Sequence, residues 1–145
     1  MRIELEVRRF LDLEALARHL PIVSFRVWTH AQFKQPAGWT PPTPALIDTG
    51  APFCVLPKAL WTMIEHEGGF PTSLRGLVQL PSAILNARLA RITCVVSDRA
   101  ATSRPLKVWA LLAEGDVPLV LGCAGFLEHA KFVLEPAHQH AWLEF

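Results

Sequence analysis

Short β-prone runs separated by proline and glycine constrain the fold of this chain more than any other feature. The 145 residues include 12 prolines and 8 glycines, which break the apolar stretches into pieces too short for long helices. Arg2–Arg9 alternates charged and apolar residues, as a half-buried strand does. Ile22–Trp28 and Leu106–Leu112 are further β-rich runs. The pattern predicts a mostly β fold, closed like a barrel or sandwiched, with one or two short helices.

Helix signals are few and short. Asp12 can cap a helix that ends before Pro21. A second helix is expected over Lys58–Glu67, closed by the pair Gly68-Gly69. The segment Phe126–Ala130 is expected to form one helical turn. No segment therefore predicts a helical bundle.

Two hairpins and one long loop are expected between these elements. The segments Ser73–Leu80 and Ser82–Val96 form the first hairpin, with a turn near Pro81. Near the C-terminus, Lys131–Glu135 and 141–145 flank a polar turn and form the second. Residues 35–44 contain one glycine and four prolines, which favours a loop.

The composition predicts one globular domain over residues 1–145, with residues 1–20 as an N-terminal strand and helix extension and 21–145 as the core lobe. Hydrophobic residues make up 51% of the chain and charged residues 19%, and the net charge is +1. Without a basic patch, we expect no nucleic-acid partner. No apolar run approaches the ~18 residues of a membrane span, so no membrane partner is expected. The three cysteines, an odd number without short spacing, predict free buried thiols and a cytoplasmic location.

The most informative local feature is the heptapeptide Ala45-Leu46-Ile47-Asp48-Thr49-Gly50-Ala51. An apolar strand delivers Asp48 to its end, and small residues follow it. Gly50 permits a tight turn and close approach of another backbone, and the Thr49 hydroxyl can donate a hydrogen bond. The alternative is an ordinary turn in which the Asp48 carboxylate accepts a hydrogen bond from its own backbone.

The heptapeptide, continuing to Val55-Leu56-Pro57, resembles the active-site signature of retropepsin-like aspartic peptidases. A second resemblance lies at Val117-Pro118-Leu119-Val120-Leu121-Gly122, followed by Gly125-Phe126-Leu127. In that family, this second segment passes beneath the catalytic loop. The resemblance, which extends from about residue 21 to 145, implies a single acid-protease lobe. Two matches in the expected order are far harder to obtain by chance than one triplet.

The resemblance also implies a mechanism and a set of site residues. Two carboxylates share one proton, because like charges about 3 Å apart do not both ionise. The chain supplies one such acid, so a homodimer acting on a peptide or protein substrate is implied, with no cofactor and no metal. By resemblance, the roles fall on catalytic Asp48, Thr49 and Gly50, on substrate-binding Ala51, Gly76, Leu77, Val78, Leu119 and Val120, and on structural Leu121 and Gly122. A flap over residues 74–85 is expected to cover the cleft.

The chain departs from the family pattern in two places. Viral members carry acidic residues just after the Asp-Thr-Gly-Ala sequence, and these pair with an arginine after the second-motif glycine. Pro52 and Phe53 replace the acids here, and Cys123 replaces the arginine, so both sides of the ion pair are missing together. The dimer must be held in another way, for example by the terminal strands. A catalytically weak or inactive peptide-binding or regulatory module with the same fold is the alternative, and a β domain with a chance triplet is a third hypothesis.

Other chemical sites have weaker signals. His138-Gln139-His140 offers two imidazoles, whereas a useful metal site needs three or four ligands. Glu65-His66-Glu67 lacks the second histidine of a zinc-protease helix and fits a solvated helix end. Cys54 or Cys123 could act as a nucleophile only beside a histidine base, and none is near in sequence.

Overall fold

The computed structural model describes residues 1–75 and 84–145. Within these residues the chain forms eleven strands, two short α-helices and two 3₁₀ turns. The strands are β1 (Arg2–Leu11), β2 (Val23–Gln35), β3 (Gly38–Trp39), β4 (Thr43–Ile47), β5 (Cys54–Leu56), β6 (His66–Arg75), β7 (Ile84–Ser97), β8 (Leu106–Ala113), β9 (Val120–Leu121), β10 (Lys131–Glu135) and β11 (His140–Glu144). The helices are α1 (Leu13–Ala17) and α2 (Lys58–Trp61), and the 3₁₀ turns are Leu127–His129 and Pro136–His138. The mostly β character expected from the sequence is confirmed.

Strand β2 organises the sheet because it pairs with four other strands. Its first half pairs with β1, its middle with β4 and then with β7, and its last two residues with β3, all antiparallel. From β4 the pairings continue through β9, β5 and β8 to β7. Because β7 also pairs with β2, the series of neighbouring strands that begins at β2 leads back to β2.

The apolar faces of these strands enclose one large core. Its largest fully buried side chains include Phe33, Leu56, Leu121 and Phe126. A smaller cluster lies apart from it and contains Val55, Leu74, Ala87, Ala113, Val117 and Val120. Strands β5 and β9 contribute to both clusters, so they form the wall between them.

The second helix is shorter than the sequence predicts. It ends at Trp61, and His66 already belongs to β6, which pairs with β7. Gly68 and Gly69 adopt φ values of +81° and +150°, and the strand register shifts between Glu67 and Phe70. The glycine pair therefore forms a β-bulge in a strand instead of closing a helix. Pairing with β7 outweighs the local helix signal.

The predicted loop over residues 35–44 is also partly wrong. Strand β2 extends to Gln35 and turns back on itself to pair with Gly38–Trp39. The Thr40 hydroxyl is buried and accepts a hydrogen bond from Phe33 N at 3.0 Å. This buried hydroxyl ties the proline-rich segment to the strand.

The two ends of the chain pair with each other. Met1 N donates to Phe145 O at 2.9 Å, and Phe145 N donates to Met1 O at 2.8 Å. The C-terminal hairpin is present as β10 and β11, and β11 pairs with the first half of β1. Ile3 and Leu5 of β1 lie in the large core. The first half of β1 is thus an integral strand.

Among the described residues, no helix has the length and apolar character needed to cross a membrane.

Candidate active site at the Asp48 loop

Asp48 lies in the short loop that joins β4 to β5. The side chain of Ile47 before it is buried, whereas Asp48, Thr49 and Gly50 are exposed. The backbone N–H of Asp48 donates to Leu121 O at 3.0 Å, and Leu46 N donates to Leu119 O at 2.9 Å. The acid is therefore presented to solvent on a rigidly paired strand end.

The Asp48 carboxylate is oriented by its own loop. Oδ1 accepts a hydrogen bond from Gly50 N at 2.8 Å, and Ala51 N donates to Asp48 O at 3.2 Å. The bond from Gly50 N is the one expected of an ordinary turn, which was the alternative that the sequence left open. It fixes one carboxylate oxygen, and no described residue donates a hydrogen bond to Oδ2. A carboxylate held in this way can accept a hydrogen bond from water or from a second acid at the free oxygen.

Strand β9 runs between the two strands that flank the loop. Leu121 pairs in parallel with Ile47 of β4, and Val120 pairs in antiparallel with Val55 of β5. Strands β4 and β5 therefore do not pair with each other as a hairpin, because β9 lies between them. Residues distant in sequence by about seventy positions are required to build this loop.

Gly122 makes the closest approach to the loop. A Cβ atom at this position would lie 2.3 Å from Phe53 O and 2.6 Å from Ala51 O. Both are backbone atoms, so only glycine fits without displacing the loop. Immediately after it, Cys123 N donates to Ala51 O and Ala124 N donates to Pro52 O, both at 2.9 Å. The segment after β9 therefore holds the loop through backbone hydrogen bonds, to which the Cys123 thiol adds a contact with Thr49 O.

Two cysteines lie at the loop and have different environments. Burial raises the pKa of the Cys54 thiol to about 11, against the opposing effect of a hydrogen bond from the Gly122 backbone. Cys123 is half-buried, and its thiol donates to Thr49 O at 3.4 Å. Because a thiol with such a raised pKa is not ionised near neutrality, Cys54 is unsuited to nucleophilic chemistry.

The residues expected to line a substrate pocket have different positions. Ala51 is half-buried and packs against the smaller apolar cluster. Leu119 and Val120 are only 7% and 4% exposed, respectively, because they face the two cores. In this single chain both are residues of the interior, with Val120 in β9 and Leu119 just before it. Gly76, Leu77 and Val78 lie outside the described residues.

The expected flap is described only at its base. Leu74 pairs with Leu85 across strands β6 and β7, and both pack against the smaller cluster. That cluster also holds Val120 and contacts Ala51. The base of this hairpin therefore lies on the same apolar cluster as the Asp48 loop, and the rest of the expected flap is outside the described residues.

No metal site forms among the described residues, in which no group of three or more histidine, cysteine or acidic side chains is close enough to hold an ion. The His140 ring contacts Glu4 at 2.8 Å, and His138 lies 3.6 Å from Glu135. Gln139 between them has a φ of +50° at the end of the 3₁₀ turn. Both imidazoles lie near Glu135, and His140 also contacts Glu4, all on the exposed surface.

A cavity of about 610 Å³ lies away from the Asp48 loop and was not expected from the sequence. Its lining includes Trp28, Pro44 and Asp98. It forms where β1 leaves β2 to pair with β11, while β2 continues towards β7. Such a divergence depends on long-range pairing, so no local motif could have signalled it.

Comparison of this chain with protein-family models finds no match, and neither do comparisons with curated proteins and with solved structures.

Proposed function

We propose that this chain is a retropepsin-like aspartic endopeptidase, cytoplasmic and active as a homodimer. One observation carries the proposal: an exposed acid of an Asp-Thr-Gly sequence lies on a loop that β9 and Gly122 support from below. In support of a barrel-like lobe, the strand pairings that leave β2 return to it. The three free cysteines favour a reducing compartment.

The mechanism requires two copies of Asp48. At close range the pair shares one proton, since two adjacent carboxylates do not both ionise. The ionised member removes a proton from water, and the protonated member polarises the carbonyl of the scissile peptide bond. The hydrogen bond from Gly50 N fixes one oxygen of each carboxylate and leaves the other for water or the partner acid. No covalent acyl-enzyme forms.

A second candidate function is a peptide-binding module that cleaves little or nothing. The burial of Leu119 and Val120 supports the lack of cleavage, because in the single chain neither side chain offers the substrate-binding surface that the resemblance assigns to it. The absence of the viral ion pair at Pro52 and Cys123 also supports it, since dimerisation then lacks its usual brace.

Peptide cleavage by three proteins separates these candidates. The wild type, Asp48→Asn and the matched control Asp116→Asn are assayed against a peptide library from acidic to neutral pH. Asp116 is an exposed carboxylate that no Thr-Gly or Ser-Gly follows. We expect cleavage by the wild type and control, and at least a ~10³-fold loss in Asp48→Asn. Equal activity in all three refutes the role of Asp48. Peptide binding without cleavage favours the second candidate.

A further inference from the structure

The outer part of the β1–β2 ribbon projects from the body of the protein. We refer to residues 8–26, which include α1, as the arm. The structure describes the whole of this stretch, and Ala15 is its only buried residue. Its strands pair over Arg8–Leu11 and Val23–Arg26, and Asp12 caps α1 by accepting from Ala15 N at 2.9 Å. The arm is therefore an ordered ribbon with a helical tip and little packing of its own.

The arm carries most of the exposed large apolar side chains. Among the described residues eleven such side chains are exposed, and seven of them lie between residues 10 and 23. They are Phe10 (38% exposed), Leu11 (46%), Leu13 (76%), Leu16 (43%), Leu20 (51%), Ile22 (50%) and Val23 (39%). Leu11 pairs with Val23, and Asp12 N bonds Ile22 O at 2.9 Å, so the set is gathered at the tip.

The area of this patch matches what a dimer interface needs. Seven side chains of these sizes and exposures present in total, over both faces of the ribbon, on the order of 500 Å² of apolar surface, and a contiguous patch of that size is near the upper limit for a monomer. A standard interface buries about 800 Å² per partner, of which ~60% is apolar. The apolar part of a standard interface is therefore also about 500 Å² per partner. An isolated two-stranded ribbon is only marginally stable in water, so an occupant of this patch would stabilise the arm as well.

We infer that the arm is a homodimerisation element and that its apolar tip packs against a second copy of this chain. The inference rests on the proposed function, which needs two copies of Asp48. The arm carries both charge signs: Asp12, Glu14 and Arg18 lie together near the tip, and Arg8, Arg9 and Arg26 lie at its base. Two arms related by a two-fold axis can therefore face each other with opposite charges paired. The chain ends do not supply this contact, because Met1 and Phe145 pair within one chain.

The substitution Leu13→Glu with Leu16→Glu tests this surface with little risk to the fold. Leu13 follows the cap of α1, where a carboxylate is favourable. The matched control is Met63→Glu, an exposed apolar residue (52%) outside the arm. Sedimentation velocity over a wide concentration range measures the dissociation constant, and circular dichroism verifies folding. We expect a dimeric wild type and control, and dimerisation weakened about 100-fold or more in the arm variant.

The outcomes separate the inference from the proposed function. A dimer that survives both arm substitutions overturns the role of the arm and leaves the peptidase proposal standing. A wild type that stays monomeric at every concentration overturns both. If the arm substitutions dissociate the dimer but the wild type cleaves no peptide, the inference is supported and the peptidase activity fails. If cleavage is lost together with dimerisation, both are supported.

Discussion

Replacement of Gly122 by alanine tests whether its close contact fixes the Asp48 loop. The added Cβ would lie 2.3 Å from Phe53 O and 2.6 Å from Ala51 O. Both contacts are with backbone, so no side-chain rotation can relieve them. The loop and the segment after β9 must move apart.

The cost has two parts. Overpacking of a well-packed site costs about 1–3 kcal/mol. Separation of the segments also weakens the hydrogen bonds from Cys123 N to Ala51 O and from Ala124 N to Pro52 O, worth about 1 kcal/mol each. We expect Gly122→Ala to lower the free energy of unfolding by about 3–5 kcal/mol. For a chain of this length each 1 kcal/mol shifts Tm by ~3 °C, so Tm falls by about 9–15 °C.

Gly115→Ala is the matched control. Its Cβ would lie 3.6 Å from Leu85 Cδ2, an ordinary van der Waals distance. Neither Gly115 nor Gly122 has a positive φ, so the backbone conformation permits alanine at both sites. The control should change the free energy of unfolding by less than about 1 kcal/mol. Urea and thermal unfolding measure both variants. A Gly122→Ala protein within about 1 kcal/mol of the control would refute the contact argument.

Two further predictions concern a turn and the thiols. Hydrogen bonds from the Glu4, Ala100 and Ala101 backbone lower the pKa of the Asp98 carboxyl from its ordinary value of 3.8, with Glu4 the largest cause. These hydrogen bonds to the ionised carboxylate therefore stabilise the folded state fully above pH 3.8. Their contribution is lost as the pH falls through the lower pKa that Asp98 has in the folded state. We expect Asp98→Asn to cost about 1 kcal/mol at pH 7 and progressively less as the pH falls below 3.8, as measured by urea unfolding over this range, and a cost independent of pH would contradict it. Burial raises the pKa of the Cys54 and Cys94 thiols. A thiol reagent should thus modify one cysteine per native chain and three after denaturation, and Cys123→Ser should abolish the native reaction, whereas its persistence would refute the assignment.

Much of the local structure could be predicted from the sequence. The alternation in β1, the cap at Asp12 and the C-terminal hairpin depend on neighbouring residues, and all three are present. The apolar strand that leads to Asp48 was predicted for the same reason, and it is present as β4, which ends at Ile47. Its hydrogen bond to Gly50 N is the local turn that the sequence had left open.

Long-range pairing decided the other features. Gly68-Gly69 has the composition of a helix end, but pairing with β7 makes it a bulge in β6. Leu119 and Val120 would be apolar whether they lined a substrate pocket or lay in the interior. Only the packing of this segment between the two cores buries them. The divergence of β1 from β2, with the cavity it creates, likewise depends on partners more than thirty residues away.

The sequence by itself determined that Asp48 is an acid at the end of an apolar strand and that the chain carries only one Asp-Thr-Gly triplet. These are local properties of residue type and order. Only the tertiary structure decided what supports that acid, because the contact of Gly122 with Phe53 joins segments far apart in the chain. It also decided that the chain ends pair within one chain while the apolar tip of the arm stays uncovered, because burial depends on which surfaces the whole fold brings together.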